Sequence, residues 1–149
     1  PTNTFGPNDN YTDLVSHFVP SLIKKIHKIK KNKKNKLTLW GSGKPKRELI
    51  YVEDIADACI FFMKKKTKHS IINIGSGKDY SIEHYARLFA KVILKNQKIF
   101  IKYDKSKPDG TPRKIMDISI AKKYGWSAKI KLDKAILDTY NSFLKEIKV

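Results

Sequence analysis

Cysteine is almost missing from this chain: Cys59 is the single thiol among 149 residues. One thiol excludes an internal disulfide and a cysteine-built zinc site, and it fits a reducing compartment. Long apolar runs are missing too, because no stretch approaches the roughly 20 residues that a membrane-spanning helix needs. The sequence opens on Pro1 rather than on methionine, and no cleavable apolar leader is expected. The expectation is a soluble, cytoplasmic protein without a membrane partner, and the opening "PTNTFGP" reads like the middle of a longer protein.

Acids are scarce as well, with 14 Asp and Glu against 32 Lys and Arg, which leaves a formal charge of +18. Such a surplus draws phosphates in principle. Arginine is scarcer still, at three residues, while lysine, isoleucine and asparagine recur throughout, as an AT-rich coding sequence would produce. The lysine run from Lys24 to Lys36 has no interleaved aromatics on which bases could stack. We therefore expect a solvated lysine-rich surface and no nucleic-acid partner. A basic nucleic-acid-binding module stands as the rival from another class, and steeply salt-dependent binding to arbitrary DNA or RNA would mark it. Familiar catalytic signatures are absent: no G-x-S-x-G elbow, no H-E-x-x-H helix, and four histidines without metal-ligand spacing, so no metal is expected.

What is present is enough apolar residue, 40%, for one domain with a real core. From Val15 onward, Phe18, Val19, Leu22, Ile23, Ile26 and Ile29 fall at helical spacing, with Pro20 in the first turn where its missing N–H costs least. "KLTLW" and "ELIYV" predict strands, and "EDIADACIFFMKK" predicts a helix opened by acids, with Cys59 in its core face. "SIINIGSG" predicts a buried strand, followed by a helix capped by Ser81. "KIFIKYD" predicts another strand, "DISIAKKYGW" a short helix ending at Gly125, and Leu132 to Ile147 a final helix. The sum is one α/β unit with four or five helices. The glycine turns at Gly41 and Gly75 complete neither dinucleotide nor P-loop spacing and read as strand-exit turns.

Two arginines draw attention in a lysine-biased chain. Arg47 and Arg113 sit beside Pro45 and Pro112 in apparent loops, and a guanidinium fork grips phosphate in a way lysine cannot. His17 stands at the start of the first helix. A lone histidine there is ordinarily a packing or capping residue, although the helix dipole favours its neutral form and so poises it for proton transfer.

Taken together, "PTNTFGPNDNY", "SHFVPSLIKKIHKIK", "LWGSGKPKRELIYVEDIADACIFFM", "NIGSGKDYSI" and "KPDGTPRKIMDIS…YGW" resemble, in order, the GDP-L-fucose synthase family of the extended short-chain dehydrogenase/reductases. The resemblance covers almost the whole chain. "WGSG-x-P-x-RE" with "V-x-D-x-AD" is shared by many nucleotide-sugar enzymes, whereas "SH-x-(V/I)P" with "KPDGTPRK" is specific to the fucose synthase branch. It implies the C-terminal substrate-binding part of a Rossmann-type enzyme over residues 1–149, with 1–12 as the tail of the cofactor segment. The glycine-rich Rossmann half, its Tyr-x-x-x-Lys pair and the family's catalytic cysteine have no counterpart here.

By that resemblance the intact enzyme uses NADPH to epimerise C3 and C5 of a GDP-4-keto-6-deoxy-mannose and to reduce C4. His17 matches the catalytic histidine and also borders the cofactor. Pro1, Thr2, Asn3 and Thr4 match the segment lining the nicotinamide and ribose side of NADP. Lys25, where the family often has arginine, Trp40, Arg47 and Asp109 match substrate-binding positions, with Lys107, Arg113 and Lys114 as neighbours. The full-length family forms homodimers. The nearest rival within the class is an epimerase, reductase or dehydratase acting on another nucleotide sugar, and the fragment alone is expected to be inactive.

Overall fold

A computed structural model describes residues 1–12, 16–95 and 97–147. Val15, where the first apolar stripe was expected to begin, lies outside the described residues. Helix α1, Phe18–Lys31, starts with Pro20 in its first turn and buries Val19, Leu22, Ile23, Ile26 and Ile29 along one stripe. Lys28, Lys30 and Lys31 fill its last turn, where cations complement the helix dipole. Helix α3, Ile82–Leu94, begins as its sequence predicts: the Ser81 hydroxyl accepts the His84 backbone N–H at 3.1 Å. Its apolar face, Tyr85, Phe89 and Ile93, packs against α1 on one side and against α5, Leu132–Glu146, on the other. Ile23, Ile26, Phe89 and Ile136 are fully enclosed between these three helices.

Strand β3, Lys46–Tyr51, is the shared element of the larger sheet. Its second half pairs in parallel with β1, Asn3–Phe5, placing Asn3 opposite Leu49. Its first half pairs antiparallel with β4, Asp79–Ser81, and in parallel with the two-residue β6, Arg113–Lys114. A separate two-stranded sheet joins β2, Lys36–Trp40, to β5, Phe100–Asp104, in parallel register. Leu37 and Leu39 alternate inward from β2, as a half-buried strand requires.

Helix α2, Val52–Met63, and the short α4, Ser119–Lys123, enclose a second, smaller core of Ile50, Ala58, Ala121 and Trp126. Trp126 is held there by its indole N–H, which donates to Asp57 at 2.9 Å. Buried Asp54 accepts the backbone N–H groups of Lys129 and Ile130, fixing the chain just before α5.

Two expectations fail here. Cys59 is exposed. The inward face of α2 is set by Asp54 and Ala58, and the next residue is turned about 100° away from Ala58. Ile60 and Met63 are exposed with it, so this helix is more apolar than its buried face needs. The second failure is "SIINIGSG", which forms no strand. It runs beside β1 with one backbone hydrogen bond, Thr2 N–H to the Ile74 carbonyl, and Ile71 is 78% exposed. An apolar run becomes a strand only where neighbours complete its ladder on an edge, and among the described residues none does so here.

His27 tests the packing of α1 on α5. Its Nδ1 lies 3.0 Å from the Tyr140 hydroxyl, and its ring meets Phe143 edge-on. Burial, with Lys30 and Lys31 adding to it, lowers its pKa from the ordinary 6.5. The unfolded chain therefore takes up the proton first, so stability is complete above that value and declines as pH falls through the imidazole range. Melting temperature should drop more steeply from about pH 7.5 to about pH 5 in the wild type than in His27→Phe. Parallel slopes would remove His27 as the cause.

Candidate substrate site

His17 is the N-cap residue of α1, extended in backbone, exposed, and without a side-chain capping bond. It stands at the junction of two adjoining cavities, which share His17, Phe18, Ile82 and Asp109 as common walls. The larger, about 520 Å³, is lined on one side by Lys24, Lys25 and Lys28 of α1 and on the other by Trp40 and Pro108. The smaller, about 380 Å³, is lined by Asn3 and Thr4 of β1, the start of α1, and Arg47 and Leu49 of β3. Parallel pairing of β1 on β3 puts those two strands side by side, and strand alternation turns Arg47 and Leu49 to the same face.

Trp40, at the end of β2, is 65% exposed yet flanked by two cations. The Lys25 ammonium lies 5.5 Å and the Lys107 ammonium 5.6 Å from its ring, within cation–π range. Lys25 also donates to the Thr38 carbonyl at 3.3 Å, and burial lowers its pKa. A flat aromatic face, four lysines and an arginine around open volume suit a ligand that joins a ring to phosphates.

Asp109 belongs to the glycine- and proline-rich loop after β5. Its carboxylate accepts the Ser42 backbone N–H at 2.5 Å and the Ser42 hydroxyl at 2.7 Å. The backbone bond, then the hydroxyl, holds its pKa below the usual carboxylate range. This close approach requires glycine at 41, where φ is +68° and a Cβ would collide with Asp109 Oδ1. Arg47 fastens the same loop, its Nη1 donating to the Thr111 carbonyl at 2.6 Å and to the Lys46 carbonyl at 2.7 Å.

Several expected residues stand elsewhere. Pro1 and Thr2 line neither cavity; the Thr2 hydroxyl points to the Glu48 carbonyl at 3.4 Å. Arg47 and Arg113 lie in strands rather than loops. Arg113 turns its Nε and Nη2 onto the Asp79 carboxylate, at 2.5 and 3.2 Å, and lines neither cavity. Lys114 is exposed on β6 and borders neither cavity. Sequence reading missed Ser42 and Lys28. It missed Glu48 too, although an acid heading the apolar run "ELIYV" was a usable signal. Among the described residues no group of three or more His, Cys, Asp or Glu could hold a metal ion.

A sequence profile of the NAD dependent epimerase/dehydratase family matches residues 1–75, half of the chain. The chain belongs to that family. Within this epimerase/dehydratase family it is similar to GDP-L-fucose synthase 1 of Arabidopsis thaliana, 40% identical over 147 residues, taking in 99% of this chain and 45% of the relative. GDP-L-fucose synthase of Escherichia coli (strain K12) is 36% identical over 154 residues, taking in 97% of this chain and 47% of the relative. A crystal structure of a GDP-L-fucose synthetase from Naegleria fowleri superposes with a TM-score of 0.87 at 25% identity, covering all of this chain and 46% of that one. Its NADP-bound counterpart, at 24% identity and TM-score 0.85, covers 99% of this chain and 44% of that one and supports the fold alone. The chain thus spans about half the length of the curated relatives it matches.

The Ser42–Asp109 clasp makes a direct prediction for this family member. Asp109→Ala should free the Lys105–Pro112 loop, so that trypsin cuts after Lys105 several-fold faster while helix content is unchanged. Wild-type cleavage kinetics would show that the loop is held by other contacts.

Proposed function

We propose that this chain is the C-terminal, substrate-binding part of an NADPH-dependent enzyme of the GDP-L-fucose synthase type. The observation that carries the reading is convergence: His17, Lys25, Trp40, Arg47 and Asp109, far apart in sequence, line two adjoining cavities. In this reading the guanine stacks on Trp40, and Lys25 with Arg47 meets the pyrophosphate. The sugar then reaches the shared wall at His17. Lysine at position 25 offers a point charge where a guanidinium would offer a fork, so Arg47 provides the more directional contact.

The 4-ketone of the substrate acidifies the hydrogens at C3 and C5. A base from the remainder of the enzyme removes each proton, and His17 returns one to the opposite face of the ring, which inverts the centre. Asn3 and Thr4 border the same cavity as His17 and would lie along the cofactor, since both are polar and front open space. NADPH, when bound, supplies the hydride that reduces C4. The exposed apolar residues of α2, Ile60 and Met63, supply a surface on which a cofactor-binding half would pack. A cytoplasmic location and a homodimer of the full-length enzyme belong to the same proposal.

Two tryptophans of unlike exposure make the test simple. Trp126 is 2% exposed and gives a constant background, whereas Trp40 is 65% exposed and reports on ligand. GDP should quench the fluorescence of the wild-type chain and not of Trp40→Phe, and UDP should bind more weakly. Arg47→Ala should weaken GDP by about tenfold or more, the cost of a charge-assisted hydrogen bond. His17→Asn should leave GDP affinity unchanged and, in the full-length enzyme, abolish epimerisation. Equal response to UDP would assign the site to another nucleotide sugar, and no response to GDP would overturn the reading.

A further inference from the structure

Glu48 is fully buried, at 0% exposure, and carries no role in the site described above. It lies on β3 between Arg47 and Leu49, which face the smaller cavity, so its own side chain leaves the opposite face of the strand. No cation pairs with it among the described residues. Its partners are donors from two separate loops. Oε1 accepts the Gly77 backbone N–H at 2.6 Å and the Ser76 hydroxyl at 3.4 Å, and Oε2 accepts the Met116 backbone N–H at 2.8 Å. Its main chain serves a third segment, because the Glu48 carbonyl accepts from the Asn3 amide at 3.0 Å and from the Thr2 hydroxyl at 3.4 Å.

Each of those segments leads to a cavity wall. Met116 lies two residues past β6, whose pairing with β3 lasts only from Arg113 to Lys114, so the carboxylate takes an amide where the ladder has ended. Upstream on the same segment sits Asp109. Gly77 closes the turn that enters β4 and then α3, whose first residue, Ile82, lines both cavities. Gly75 is fitted to this carboxylate, since a Cβ there would collide with Glu48 Oε1.

We propose that Glu48 is a positioning residue: its carboxylate joins the Gly75–Lys78 turn to the segment after β6 and thereby sets the approach of Asp109 and Ile82 to the nucleotide cavities. A glutamine in its place has the right shape and the wrong chemistry, because its amide group puts a donor against one of the two backbone donors. The role rests on the nucleotide reading of the site, and the test separates the two.

The 149-residue chain, Glu48→Gln, Gly75→Ala and the double variant would be compared by amide hydrogen exchange and by GDP titration. In Glu48→Gln, exchange at Gly77 or Met116 should accelerate about tenfold, as one charge-assisted bond is lost. Core amides such as Ile26 and Phe89 should keep their rates, and GDP should weaken about tenfold. Gly75→Ala should do the same with the carboxylate still present, and the double variant should be no worse than either single one, because both break the same contact. Retained protection at both amides, equal acceleration across the core, or additive losses in the double variant would each overturn the role. Should Glu48→Gln fail to fold, Gly75→Ala alone decides through the same amides. Should wild-type chain show no GDP binding, the nucleotide reading falls, and exchange at Gly77 and Met116 still decides whether Glu48 anchors the two loops.

Discussion

A strand of six residues, Lys46–Tyr51, is the constraint on which the site depends. It gives one half of its length to β1 and the other to β4 and β6. Three distant parts of the chain therefore take their coordinates from one short element. β1 brings Asn3 and Thr4, β4 leads into α3 and Ile82, and β6 terminates the loop that carries Asp109. Such short pairings hold little by themselves, since an isolated pair of strands is marginal in water. Side chains of β3 lengthen them: Arg47 reaches the Thr111 carbonyl before β6, and Glu48 reaches the Met116 amide after it.

That arrangement explains how a lysine-rich chain keeps an ordered polar cavity. Self-repulsion among so many cations favours expansion, and long lysine side chains lose rotamer freedom when held. The residues that line the cavities or brace their walls are accordingly fixed mostly by backbone partners. Asp109 is held by Ser42, Arg47 by two carbonyls, and Glu48 by two amides and a hydroxyl. Lysines are left to supply charge around a geometry that other residues determine.

Sequence reading located the helices well because their signals are local. The stripe of α1, the Ser81 cap of α3 and the apolar face of α5 need only 3.6-residue spacing and one capping side chain to be legible. Strand status depends on a partner, which periodicity does not contain, and "SIINIGSG" misled for that reason. Cys59 misled because α2 is apolar on more faces than the chain itself covers. Of the positions that resemblance named, His17, Lys25, Trp40, Arg47 and Asp109 border a cavity and Pro1 and Thr2 do not, while Ser42 and Glu48 stayed hidden. Their work is to hold other residues, and a fastening contact becomes visible only when both ends are in view.

The arginines carry the last step. Their rarity suggested phosphate, and the structure gives a more general reason for their survival. Two of the three turn a pair of donors onto a carboxylate, Arg113 closing Nε and Nη2 on the two oxygens of Asp79 and Arg87 the same pair on one oxygen of Glu83, while Arg47 sets a single nitrogen, Nη1, between two carbonyls. An ammonium group presents a point charge and cannot reproduce two parallel donors in a plane. Two of the three arginines of this lysine-biased chain therefore stand where paired donors meet a carboxylate. Arg47 alone of the three stands on the wall of either cavity, so position, rather than residue type, distinguishes the arginine suited to a ligand from those that brace the frame.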